Sequence, residues 1–160
     1  MEPTVHEAAG GQQVLLDLAR AWHKRCLEDP IVSHAFSHAG LNPHHTERLA
    51  AYWAEALGGP ATYTDRFADQ SHVMRLHSGN GEHHEMDERA QRCFAQALVD
   101  IGLTNDDRLR STLEDYFVWA IKDMSTYPHS AADVPANLDL PHWSWDGPQQ
   151  LTPDSRSGSR

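Results

Sequence analysis

Apolar residues recur at intervals of three and four along nearly the whole chain, and no stretch alternates apolar with polar residues as a half-buried strand does. That period restricts the fold to packed helices, and glycine and proline mark where they end. The first long run joins Val14, Leu15, Leu18, Trp22, Cys26 and Leu27, and Asp29-Pro30 stops it. A short segment carries Ile31, Val32 and Phe36 before Gly40. Asn42-Pro43 then opens another helix, with Asn42 as the expected N-cap and Pro43 in the first turn. Its stripe is His45, Leu49, Tyr52, Trp53, Ala56 and Leu57, ended by Gly58-Gly59-Pro60. A less regular stretch from Ala61 to Asn80 holds Tyr63, Phe67, Val73, Met74, Leu76 and His77. Two long helices follow, one from Met86 to Ile101 and one from Leu109 to Met124. The fold class is all-α.

Beyond Pro128 the chain turns polar, with Pro135, Pro141 and Pro148 scattered through it. Residues 1–127 therefore read as one helical domain and 128–160 as a Pro/Ser-rich, mostly irregular extension. Its end, Ser155 to Arg160, has a disordered composition. His142, Trp143 and Trp145 are apolar enough to dock on the helices.

A chain of 160 residues has room for one core without disulfide staples. Thirteen Lys and Arg against 23 Asp and Glu give a formal charge of −10. That charge provides no attraction for a nucleic-acid backbone or an anionic bilayer. No run approaches the roughly 20 apolar residues of a spanning helix, and the acidic start Met1-Glu2-Pro3-Thr4 is unlike a secretory leader. A cytoplasmic location is the expectation. Cys26 and Cys93, each inside a helical pattern, make neither a zinc ribbon nor a redox CxxC.

The unusual count is 12 His. His44-His45, His83-His84-Glu85 and the His72/His77 pair each suggest metal ligands, but adjacent histidines on a helix point about 100° apart. His-Glu-x-x-His and Glu-x-x-His are both absent. The informative pattern is His45, Leu49, Tyr52 and Trp53 on one helix face, followed after the double glycine by His77 among apolar neighbours. A histidine on each of two facing elements, between aromatic and aliphatic walls, suits a flat iron cofactor. Periodicity alone leaves the other reading open, since a histidine on an apolar helix face is more often a hydrogen-bonded core residue.

In order along the chain, these residues resemble a truncated haemoglobin of group II. Gly10-Gly11 sits where that family has its first double glycine, and Leu18 to Pro30 is similar to its B helix with the Asp-Pro exit. Arg48 through Leu57-Gly58-Gly59-Pro60-Ala61-Thr62-Tyr63 resembles the E helix and second glycine motif, and Met74-Arg75-Leu76-His77 the end of the F segment. The resemblance runs from about Val5 to Met124. It implies a two-over-two helical sandwich holding haem b, with His77 as the iron ligand. It also implies distal donors at His45 and His23, with Tyr52 as a third, and places Phe36, Leu49, Trp53 and Tyr63 against the cofactor. His72 and Arg75, with Tyr63, are expected near its propionates.

The family usually has Tyr where His23 stands and Trp where Ala90 stands, so an altered ligand pocket is expected. The implied activity is binding of O2 and other diatomic gases, with NO-dioxygenase or peroxidase-like redox chemistry and a reductase as partner, in a monomer or homodimer. Two alternatives stand beside this reading: a haem-free interaction or sensing module, and an oxidative enzyme acting on a metabolite.

Overall fold

The computed structural model describes residues 2–36 and 43–149. Seven α-helices occur among them: α1 (Val5–Ala9), α2 (Gln12–Glu28), α3 (His45–Ala56), α4 (Thr62–Arg66), α5 (Gln70–His77), α6 (His84–Asp100) and α7 (Asp107–Met124). A 3-10 turn, Val32–Phe36, leads out of α2. Helix α2 packs on both α3 and α6, and α6 packs on α7. The helix pair α2 and α3 thus meets the pair α6 and α7 through α2 and α6, in line with the expected helical sandwich. No described helix is long and apolar enough to cross a membrane.

The two double glycines act together. Gly10 ends α1 with φ +114°, and Gly58 follows α3 with φ +99°, a backbone state that side chains disfavour. A Cβ on Gly59 would lie 2.7 Å from the Ala54 carbonyl oxygen and 2.8 Å from the His6 ring. The end of α3 therefore presses directly on α1, where the His6 amide donates to the Leu57 carbonyl at 3.0 Å. Polar caps set other helix starts. Asp69 accepts from the His72 amide at 2.9 Å and Asp106 from the Leu109 amide at 3.1 Å.

Helix α3 begins later than its sequence suggests. His44 occupies the N-cap and makes no side-chain cap bond there. The expected cap, Asn42, lies outside the described residues. The irregular stretch after Pro60 resolves into α4 and the eight-residue α5. The extension is more ordered than its composition implies: it holds a 3-10 turn at Ala131–Asp133 and a short ladder of β1 (Trp143–Ser144) with β2 (Gly147–Pro148). Trp143 docks against Tyr116 and Trp119 of α7, at ring distances of 5.9 and 5.5 Å. The Trp145 indole donates to the Pro3 carbonyl at 2.8 Å, and Arg108 lies 4.4 Å over its ring. His142 stays exposed, and residues 155–160 fall outside the described part.

Aromatic rings fill the layer between the helix pairs. Phe117 stacks on Phe94 at 4.3 Å and meets Trp22 and Trp53 edge-on at 5.6 and 6.4 Å. Edge-to-face and offset pairs satisfy the ring quadrupoles while removing large areas from water. Phe117→Ala is expected to cost about 3–5 kcal/mol in urea unfolding. A wild-type midpoint and slope would show that this ring is not the hub of the layer.

Candidate functional site

Three imidazoles come near one another where α2, α3 and α5 meet: His23 and His45 pack ring on ring, and His77 lies within electrostatic reach of His45. His23 lies on α2 one position after Trp22, and His45 is the first residue of α3. Their ring centroids are 5.5 Å apart, and Phe36 closes the triangle at 4.9 Å from His23 and 5.5 Å from His45. The Nε2 atoms of both histidines are buried without a hydrogen-bond partner among the described residues. A buried polar atom of that kind costs stability unless something meets it. Two occur side by side here.

His77 ends α5 on the other side. Its Nδ1 lies 2.8 Å from the Val73 carbonyl oxygen, one turn back. A carbonyl oxygen only accepts, so Nδ1 carries the proton and Nε2 presents its lone pair. The residue is solvent-accessible although protein atoms crowd it closely enough to desolvate it. Both hold at once for a side chain on the wall of a concavity.

Burial pushes the pKa of His77, His45 and His23 below the ordinary imidazole value. For His45 the nearby His23 and His77 add to the effect, since a charge on either would repel a charge on it. That coupling places His45 within electrostatic reach of the ring that ends α5. All three are neutral at neutral pH.

Trp22 backs the pair. It meets Phe36 at 5.7 Å and Trp53 at 6.1 Å, and its indole donates to the Ala90 carbonyl at 3.1 Å. Ala90 leaves room for an indole that reaches over from α2. Trp53 therefore stands one layer behind the histidines, packed on Phe94 at 5.6 Å. Leu49 is half-buried against the core. Tyr52 is committed elsewhere: its hydroxyl donates to Gln70 Oε1 at 2.9 Å in the core, which does not bring it to the histidine pair. Tyr63 packs edge-on against Tyr52 at 5.3 Å. His72 and Arg75 are exposed on α5.

Sequence reasoning passed over Arg48. Its guanidinium carbon lies 5.0 Å over the Phe67 ring, while its buried Nε has no partner among the described residues. Burial raises the pKa of the Tyr63 phenol, and the charge of nearby Arg48 offsets part of that rise. The signal was available, because Arg48 stands three residues after His45 and four before Tyr52 on the same face. Surface cavities of about 380 Å³ between α6 and α7 and about 290 Å³ beside α4, α5 and the extension include none of the three histidines. The arrangement of rings, not cavity size, marks this site.

The family model for bacterial-like globins matches residues 4–121. The haemoglobin of the thermophilic phototrophic bacterium Chloroflexus aurantiacus is 27% identical, with a TM-score of 0.64 over 77% of this chain and 98% of that one. A thermostable haemoglobin from the actinobacterium Thermobifida fusca is 26% identical, with a TM-score of 0.63 over 85% and 100%. The group II truncated haemoglobin of Bacillus anthracis, 19% identical, shares the fold with a TM-score of 0.66 over 80% and 95%. No curated protein matches the sequence. The chain belongs to the bacterial-like globin family and has the two-over-two fold of the group II truncated haemoglobins. Membership brings haem as cofactor and small gases as ligands.

The residues present fit that group. His77 offers a neutral nitrogen lone pair, His23 and His45 offer unpartnered nitrogens, and Arg48 offers an unpartnered donor for a carboxylate. Apolar surface flanks them: Leu76 beside His77 is 65% exposed, and Phe67 beneath Arg48 is 39% exposed.

The lowered imidazole values set a pH dependence. Below about pH 6.5 the unfolded chain binds protons at these positions that the native chain refuses. Stability is thus present above that value and is lost as pH falls through it toward the native values. The thermal midpoint of the haem-free protein is expected to drop from about pH 7.5 to about 5.5, and less steeply in His45→Leu. Identical pH profiles would show that His45 is not buried neutral.

Proposed function

We propose that this chain binds haem b through His77 Nε2 and holds a diatomic ligand, O2 foremost, beneath the imidazoles of His23 and His45. The observation that carries this reading is the pair of buried, unpartnered Nε2 atoms near a histidine whose tautomer Val73 sets. When bound, haem would be held by His77 and would supply an iron for gas binding and electron exchange. The hydrogen bond to Val73 holds the His77 ring in one orientation and raises its basicity as a ligand. Arg48, with its unpartnered Nε and Tyr63 nearby, would receive an acidic edge of the cofactor, and Phe36 would pack against its rim.

On the distal side each neutral imidazole has one N–H and one acceptor nitrogen. An N–H donated to a ligand that has gained negative charge contributes about 1.5–3 kcal/mol, roughly ten- to a hundredfold in dissociation rate. With one donor and one acceptor nitrogen each, the same rings can relay a proton, as a tyrosine does only poorly. NO-dioxygenase or peroxidase-like turnover, fed by a reductase, belongs to the proposal on that ground. Tyr52 has no part in it, because its hydroxyl is bound to Gln70.

Haem added to the wild-type chain is expected to give the visible spectrum of an axially ligated haem protein, and His77→Ala to lose that ligation. An unchanged spectrum in His77→Ala removes the assignment. On the distal side, His45→Leu and His23→Leu are expected to release O2 about tenfold faster or more. No acceleration in either variant ends the donor role.

A further inference from the structure

Helix α5 is eight residues long, and isolated helices below about 12–15 residues are marginal in water. The direction in which His77 points is therefore set by what anchors α5. Two anchors belong to the globin domain: the Asp69 cap, and Gln70, which receives the Tyr52 hydroxyl at 2.9 Å. The others come from Tyr127, the last residue of that domain, and from the extension. Ser71, 1% exposed, donates its hydroxyl to the Pro135 carbonyl at 2.7 Å and accepts from the Leu138 amide at 2.9 Å. Past His77, the Gly79 amide donates to the Tyr127 carbonyl at 3.1 Å and the Gly81 amide to the Pro128 carbonyl at 2.9 Å. The extension thus grips α5 at its start and just beyond its end.

The extension is itself pinned, by Trp143 on α7 and by Trp145 on Pro3 and Arg108. The family match ends at residue 121, a few residues before the strap begins.

We propose that segment 127–138 is a proximal strap that positions His77, and that Ser71 is the positioning residue through which it acts. Ser71 touches neither cofactor nor ligand; it works through the backbone of α5. Its hydroxyl is used in both directions, so a single atom replacement unties the strap at the start of the helix while leaving the chain complete. This inference rests on the reading of His77 as the axial ligand, and its test separates the two.

Full-length Ser71→Ala and wild type are compared in two states. In the reduced, ligand-free haem protein, the iron–histidine stretching band is expected to shift or broaden, with haem transfer to an acceptor globin about tenfold faster. In the haem-free protein, amide exchange in residues 70–77 is expected to speed up about tenfold, with α2 and α7 unchanged. Leu98→Ala, a fully buried core truncation on α6, is the control: it lowers global stability but is expected to leave the band and the exchange pattern of α5 in place. An unmoved band in Ser71→Ala, unchanged α5 exchange, or a Leu98→Ala variant that reproduces both changes overturns the strap. A wild-type protein that takes up no haem through His77 overturns the proposed function instead, and the exchange measurement still decides whether the strap orders α5.

Discussion

Three imidazoles gather where α2, α3 and α5 meet, and they do so only because each stays uncharged. A protonated ring at any of the three positions would be poorly hydrated and would repel the others, and burial tips all of them to the neutral form. Neutrality leaves each ring one donor and one acceptor nitrogen. At His77 the Val73 carbonyl decides which is which. At His23 and His45 no described residue claims Nε2, so both remain available to whatever enters between them and α5.

The aromatic layer explains why this meeting point keeps its shape with so few polar contacts. Phe36 touches both His23 and His45, Trp22 touches Phe36, and Trp53, Phe94 and Phe117 extend the same packing to α6 and α7. Trp22 fixes its own orientation by donating to the Ala90 carbonyl. Its indole thus bridges α2 and α6 beside the small side chain of Ala90. His23 is the neighbour of Trp22 on α2, so the ring that backs the layer and the ring that faces His45 share one helix turn.

The helical period, the stops at Asp29-Pro30 and Gly58-Gly59-Pro60, and the positions of His45 and His77 were legible because each is a local signal. The start of α3 was less so, since Pro43 and His44 form a turn before helix begins. Tyr52 shows where local reasoning fails. Its spacing puts it on the stripe that holds His45, yet its hydroxyl reaches Gln70 in α5, a partner 18 residues away. Arg48 is the converse case, a charge on an apolar face whose significance appears only when its buried Nε is found unpartnered.

The order of helices and breaks, the acidic surface and the histidine that ends α5 were determined by sequence alone, because periodicity, backbone sterics and charge are properties of short stretches. Tertiary structure decided which of twelve histidines converge, which indole backs them, and how the last part of the chain is used. Proline-rich composition made that part look like a tail, whereas the hydroxyl of Ser71 and the rings of Trp143 and Trp145 bind it to the helices. Those contacts join residues more than 20 apart along the chain, a proximity that only the packed fold creates.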